Sequence, residues 1–309
     1  MITTVTLNPA IDKTYRTEVL LRGQVNRMRT ATELAGGKGI NVTKVLREYQ
    51  FPVTALGFLG GYTGQFIERY VESIGAVCRF THTEQSTRCS INVLSEDGYV
   101  TELLEPGPVI SEEELHSFRQ QYRQSAAESE LLILSGSVPR GVPESMYAEL
   151  IEIAKKAGKR VILDTSGNSL RVGASACPFM IKPNLKELEI LVGRKVKDRQ
   201  EAIEAALFLR QQGIGRIMVS MGVKGLLYVS ENKVLFAKSP KVRAVNTVGS
   251  GDSVVASYAM SLLKDEDDEL TLRKAVAISA ANVTTLESAV IPMELAEELL
   301  AEVVVEQCM

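Results

Sequence analysis

A rhythm of short apolar runs and longer periodic segments passes through this chain and leaves it few folds. Runs rich in aliphatic and β-branched residues predict strands at Thr3–Leu7, Val53–Leu59, Leu131–Ser135, Arg160–Asp164, Phe179–Lys182 and Ile217–Ser220. Helical periodicity predicts helices over Ile40–Tyr49, Gln65–Ile74, Glu112–Glu128, Glu144–Ala157, Asp198–Gln212 and Asp252–Leu263, with two more toward the end. Strands that are apolar throughout need cover on both faces, and a helix after each strand supplies it. The expected fold class is α/β: a doubly wound, mostly parallel sheet with helices on both faces. At 309 residues and 45% hydrophobic content the chain can bury one large core, so residues 1–309 are expected to form a single domain.

Two regions break the rhythm. Residues 12–34 and 87–105 alternate apolar and polar, as in Cys89-Ser90-Ile91-Asn92-Val93-Leu94, and Glu96-Asp97-Gly98 suits a hairpin turn. They read either as an edge extension of the main sheet or as a small β-sheet lid. A lid has one apolar face to hide, and a second copy of itself is an economical cover, so a homodimer through the lid is expected.

Composition removes several classes of function. A formal charge of −3 argues against a nucleic-acid or anionic-membrane partner. No apolar run approaches membrane length, and Met1-Ile2-Thr3-Thr4-Val5 reads as a strand rather than a signal peptide. Cys78, Cys89, Cys177 and Cys308 are widely spaced, which fits free thiols in a reducing cytoplasm. His82 and His116 lack metal-ligand spacing, so a Ser-His-Asp or zinc hydrolase is not expected. No G-x-G-x-x-G occurs, which disfavours a dinucleotide oxidoreductase.

Chemistry concentrates at turns that follow strands. Asn246-Thr247-Val248-Gly249-Ser250-Gly251-Asp252-Ser253 opens an apolar helix. Its glycines let amide N–H groups converge on an anion at the positive end of the helix dipole. Asp252 beside such a cradle can take a hydroxyl proton during phosphoryl transfer. The same residues also read as a glycine turn with Asp252 capping the helix.

Ala35-Gly36-Gly37-Lys38-Gly39-Ile40-Asn41-Val42 is a second glycine cluster, suited to a phosphate or to sugar hydroxyls, or a plain strand-to-helix turn. It is not a Walker P-loop, because Thr32 stands where the first glycine belongs. Asp12, after Asn8-Pro9, can accept hydrogen bonds from vicinal hydroxyls or can stabilise its turn. Lys182-Pro183-Asn184-Leu185-Lys186-Glu187 carries a capping box, or a phosphate ligand in Asn184 and a water-mediated metal ligand in Glu187. Ser220-Met221-Gly222-Val223-Lys224-Gly225 reads as a hairpin turn or as backbone against which a nucleotide lies. Asp12, Asn184, Ser220 and Gly249 share one position, after strands at the carboxyl edge of one sheet, where such folds keep their ligand crevice.

Taken in order, Asn8–Asp12, Gly36–Asn41, Ser135-Gly136-Ser137-Val138-Pro139, Lys182–Glu187, Ser220–Gly225 and Thr247–Asp252 resemble the PfkB carbohydrate kinases of the ribokinase-like superfamily over nearly the whole length. The resemblance implies a ribokinase-like domain with a β lid, ATP and Mg²⁺. It assigns Asp252 as catalytic base and Gly249, Ser250 and Gly251 as the anion hole. Lys182, Asn184, Ser220, Gly222, Gly225, Thr247, Gly249 and Gly251 fall on the nucleotide side, and Glu187 on the metal. Within the family, Thr6-Leu7-Asn8-Pro9, Gly36–Val42, Thr87-Arg88 and Gly107-Pro108 resemble the fructose-1-phosphate and tagatose-6-phosphate kinase branch.

Relatives acting on uncharged sugars or nucleosides do not need a cationic pair such as Lys38 and Arg88, whereas a substrate already phosphorylated does. Asp12, Gly36, Gly37 and Asn41 then fix sugar hydroxyls, Lys38 and Arg88 hold the phosphate, and Ser137 assists. Fructose 6-phosphate ranks lower, because the related bacterial kinases have glycine where Lys38 stands. Residues Thr101–Pro108 resemble the tagatose-6-phosphate kinases, and Arg88–Val93 the fructose-1-phosphate kinases. The expected reaction is ATP-dependent phosphorylation of a ketohexose monophosphate to the bisphosphate, fructose 1-phosphate first and tagatose 6-phosphate as the alternative. A catalytically silent sugar-phosphate sensor is the rival from another class.

Overall fold

The computed structural model describes residues 1–308. In chain order its strands are β1 Ile2–Thr6, β2 Ala10–Thr17, β3 Thr30–Gly36, β4 Val53–Gly60, β5 Val77–Cys78, β6 Thr81–Thr83, β7 Arg88–Ser95, β8 Val100–Leu104, β9 Leu131–Ser135, β10 Arg160–Asp164, β11 Met180–Ile181, β12 Arg216–Ser220, β13 Leu226–Val229, β14 Val234–Ala237 and β15 Val305–Gln307. The helices are α1 Lys38–Glu48, α2 Gly61–Ser73, α3 Glu112–Glu128, α4 Met146–Lys156, α5 Gly167–Ser175, α6 Leu185–Val192, α7 Arg199–Gln211, α8 Ser250–Leu263, α9 Asp268–Asn282 and α10 Met293–Glu302.

The main sheet runs β15-β14-β13-β12-β11-β10-β9-β1-β4-β5, with β6 also on β4. From β5 to β12 every neighbour is parallel, and from β12 to β15 every neighbour is antiparallel. The apolar strands of the sequence are the buried parallel ones: every residue of β1, β4 and β9 is buried. One core packs α1, α2, α8, α9 and α10 on one face, and a second packs α3 to α7 on the other. Helix α8 is apolar nearly all round because it lies between the sheet and two helices, α1 and α9.

The alternating segments form a separate four-stranded sheet, β3-β2-β7-β8. Its central pair, β2 and β7, is parallel and comes from two distant parts of the chain. The turn after β7 closes as expected, with Gly98 in a left-handed conformation. The lid is therefore a sheet of its own and not an edge of the main one.

Several boundaries differ from the expectation. Helix α2 begins at Gly61, a turn before the first strong helix former, because Gly60 caps it from an extended conformation. Helix α5 was not expected: Gly167-Asn168-Ser169 reads locally as a loop, and burial of Leu170, Gly173 and Ala174 overrides that preference. Strand β11 shrinks to two residues within Phe179–Lys182. After the two predicted C-terminal helices, β15 pairs with β14 at the sheet edge, a match made through long-range pairing rather than local pattern.

Strand β1 needs an exact depth in the sheet, because the loop after it enters the ligand crevice. Its last residue, Thr6, is in register with Gly57 of β4. Gly57 has φ +155°, and a Cβ there would meet the Thr6 carbonyl oxygen at 1.9 Å. Gly57→Ala must push β1 and β4 apart, so a loss of about 2 kcal/mol or more is expected. A urea-unfolding midpoint that falls at constant slope measures it, and an unchanged midpoint removes the steric role of this glycine.

Candidate active site

The sheet order reverses between β1 and β9, so the loops after these two strands diverge and open a crevice at the carboxyl edge. Asn8 follows β1 and Ser137 follows β9, and Asn8 Nδ2 donates to Ser137 Oγ at 3.3 Å. Asp164 ends β10, Lys182 follows β11, and Ser220 ends β12, each one strand further along the same edge.

Asp252 lies in the first turn of α8 and is only 5% exposed. Asn41 of α1 donates from Nδ2 to its Oδ2 at 2.8 Å. Burial pushes the Asp252 carboxyl up to about 6. The nearby charge of Asp164 adds to the rise, while Lys38, Asn41 and Lys182 oppose it. The result is a carboxylate that is ionised at neutral pH yet basic enough to accept a proton.

Asp164 has no exposed side-chain surface, and two ammonium groups face it. Lys38 Nζ donates to Oδ1 at 2.9 Å, and Lys182 Nζ lies 3.5 Å from Oδ2. Burial by itself would raise this carboxyl, but Lys182 and Lys38 outweigh it and hold it below the ordinary carboxylate range. Burial likewise works against the Lys38 ammonium, and Asp164 and Asp252 reverse the effect and raise it. Lys38 thus stands in the field of both carboxylates.

Gly249 caps α8 in a left-handed conformation, and no side chain covers the helix N-terminus. A Cβ on Gly251 would lie 3.1 Å from Lys182 Nζ, so this ammonium sits directly against the turn. Amides, a helix dipole and a buried lysine converge there, an arrangement suited to a phosphate. Asn282, fully buried on α9, holds the turn in place: its Nδ2 donates to Val248 O and its Oδ1 accepts from Ala289 N.

Beside the turn lies a groove of about 550 Å³. Asn184, Ser220, Gly222, Gly225, Thr247, Ser250 and Gly251 all line it, which gathers most residues expected on the nucleotide side. Its apolar wall comes from Val242, Val254, Val276 and Val283, which suits a flat ring. Asn184 and Glu187 form a reciprocal capping box on α6, at 2.9 Å each way. Both the structural reading of that motif and the groove position of Asn184 therefore hold.

On the other side, Gly36 abuts Asp12 so closely that a Cβ would meet Asp12 Oδ2 at 2.0 Å. Burial raises the Asp12 carboxyl, and Lys44 and Arg88 oppose it. Gly37 caps α1 and brings Lys38 and Asn41 to the crevice. Arg88, first residue of β7, directs its guanidinium to the carbonyls of Asn8 and Glu105 at 3.3–3.4 Å. It joins the lid to the β1 loop and lies within the field of Asp12.

The sequence reading missed Asp164, Lys44, Asn282 and the valine wall. Asp164 was seen only as the end of a strand, although a carboxylate closing an otherwise apolar run is itself a signal. Lys44, Asn282, Val254 and Val276 lie inside helices and Val242 in a loop, where nothing local separates them from core or surface positions.

These features can be set against known proteins. A pfkB family carbohydrate kinase profile matches residues 5–294. The chain is 35% identical to the 1-phosphofructokinase of Bacillus subtilis over 303 residues, 98% of each protein. Phosphofructokinase-2 from Escherichia coli, solved with substrates and products, superposes with a TM-score of 0.89 at 29% identity, over 97% of this chain and 98% of that one. The tetrameric inhibited form of the same enzyme gives 0.88, again at 29% identity and the same coverage. A relation that spans the main sheet, the lid and the crevice alike carries one conclusion: the chain belongs to the pfkB family of carbohydrate kinases.

Proposed function

We propose that this kinase transfers the γ-phosphoryl group of ATP to the free 6-hydroxyl of fructose 1-phosphate, giving fructose 1,6-bisphosphate. The observation that carries the reading is one buried base, Asp252, flanked by an anion turn and groove on one side and by Asp12, Lys38 and Arg88 on the other. Identity of 35% with the Bacillus subtilis 1-phosphofructokinase favours fructose 1-phosphate over tagatose 6-phosphate. A buried carboxylate raised to about 6 speaks against a silent sensor, which has no use for a base.

In this reading Asp252 takes the proton of the acceptor hydroxyl. The amides of Gly249, Ser250 and Gly251 face the transferred group, and Lys182 adds a charge against it. Asp12, Gly36, Gly37 and Asn41 orient sugar hydroxyls. Lys38 donates one N–H hydrogen bond to Asp164 and has two left for phosphate oxygens, with Arg88 and Ser137 on the same side.

A Mg²⁺ ion fits these residues in a limited way. Glu187 uses Oε2 in its cap, and Asp164 Oδ2 is buried with only the Lys182 ammonium, at 3.5 Å, facing it. Among the described residues no three carboxylates, histidines or cysteines converge on one point. Spare carboxylate oxygens without a protein cage suit an ion held mainly by phosphates and water. Bound there, it would neutralise phosphate charge.

The lid is assigned to a homodimer. Its outer strand exposes Val100 and Leu104 on one face and Leu103 on the other, and the loop after β2 exposes Val19, Leu21 and Val25. Pairing one such patch with its own copy closes the surface. No helix among the described residues is long and apolar enough to cross a membrane.

Four outcomes are expected. Side-by-side kcat/KM should rank fructose 1-phosphate above tagatose 6-phosphate and fructose 6-phosphate, and any other order replaces the substrate. Asp252→Asn should bind both substrates and lose about 10²–10⁴-fold in kcat. In the native enzyme kcat/KM should rise with pH through about 6, because the base acts only when ionised. A flat profile there, or a variant keeping a third of its turnover, assigns the base elsewhere. Light scattering should give twice 33.8 kDa at micromolar concentration, and a fully active monomer removes the lid interface.

A further inference from the structure

Lys44 is a buried lysine with no role in the scheme above. It lies one turn after Asn41 on α1 and is 6% exposed. Its Nζ sits 3.5 Å from Asn41 Oδ1 and 5.4 Å from the centre of the Tyr70 ring on α2. Three carboxylates from three elements act on it: Asp12 of β2, Glu287 of the loop after α9, and Asp252 of α8. Burial pulls its ammonium down to about 8, so at neutral pH it keeps its charge.

Two consequences follow for its neighbours. An ammonium only donates, so the Asn41 amide must turn its oxygen toward Lys44 and its NH₂ group away. That NH₂ group is the one that reaches Asp252 at 2.8 Å. Asp12, whose carboxyl burial raises, has two cations against that rise, Lys44 and Arg88. An ionised Asp12 accepts from two hydroxyls, whereas a protonated one spends an oxygen as a donor.

We propose that Lys44 is a positioning residue for the sugar side of the reaction: its buried ammonium holds the oxygen of the Asn41 amide and so fixes a group that faces the sugar and reaches the base. This rests on the reading of Asp12 as a sugar ligand. Asp252 itself also faces Lys38, Asp164 and Lys182, so the loss of Lys44 is expected to move its titration only modestly.

The test compares Lys44→Met, Lys44→Gln, Lys44→Arg and Asp12→Asn in the full-length enzyme, with fructose 1-phosphate and ATP. Lys44→Met should raise the sugar KM roughly tenfold, leave the ATP KM unchanged, and move the acid limb of kcat/KM, which Asp252 sets, toward higher pH because a cation acting on that carboxylate is gone. Lys44→Gln should show the same shift but keep kcat within about threefold, because its amide still donates to Asn41 Oδ1. Lys44→Arg should restore the native limb. If Lys44→Met does not fold, the glutamine and arginine variants decide. A native acid limb and native sugar KM in Lys44→Gln overturn the proposal, whatever its melting temperature. An unchanged sugar KM in Asp12→Asn overturns the sugar-site reading and this proposal together. A raised one there, with a native limb and native sugar KM in Lys44→Gln, overturns this proposal alone.

Discussion

Asp164 faces Lys38 at 2.9 Å and Lys182 at 3.5 Å with no solvent on its side chain, and the crevice is arranged around that contact. A buried carboxylate is tolerated only with such partners, and the two lysines need it equally. Removing one member of a buried ion pair typically costs about 3–5 kcal/mol, because the charge left behind has no water. Lys38 comes from the start of α1, Lys182 from the loop after β11, and Asp164 from the end of β10. One ion cluster therefore fixes three separate elements relative to one another, at the point where phosphate must bind.

The same cluster sets the chemistry of Asp252. Alone in this burial the carboxyl would climb further, and with Lys38 and Lys182 opposing it the rise stops at about 6. Asp164 works in the other direction, so the base is tuned by a balance of two cations and one anion. Helix α8 takes part in two ways. Its buried length packs into the core between α1 and α9, and its uncapped N-terminus presents amides to the crevice. The core thus holds the anion turn rigid without covering it, which is what stabilisation of developing charge demands.

Much of this was legible in the residues. Continuous apolar strands announced a buried parallel sheet, and alternating segments announced a second sheet with one face to cover. The glycine turns at Gly36 and Gly249 marked places where backbone comes close to something else, and each does: Gly36 to Asp12 and Gly251 to Lys182. Helix α5 escaped because its first turn is made of residues that prefer loops and only burial makes it helical. Strand β15 escaped because three residues carry no period, and its pairing with β14 joins positions some 70 residues apart in the chain. The role of Lys38 was read too simply: a lysine after glycines suggests a phosphate, and nothing nearby in sequence discloses a carboxylate 126 residues away.

The sequence by itself determined the sheet, the order of its strands along the chain, the turn that carries Asp252, and the family to which these motifs belong. Those properties are local, since periodicity, glycine placement and motif order are all written within a few residues of one another. Only the tertiary structure decided which charges meet. It alone joins Lys38 and Lys182 to Asp164, and Asn41 to Asp252, because each pair is closed by strand order and helix packing. Electrostatic energy depends on distance and burial, and neither is a property of any segment until the sheet has placed its loops side by side.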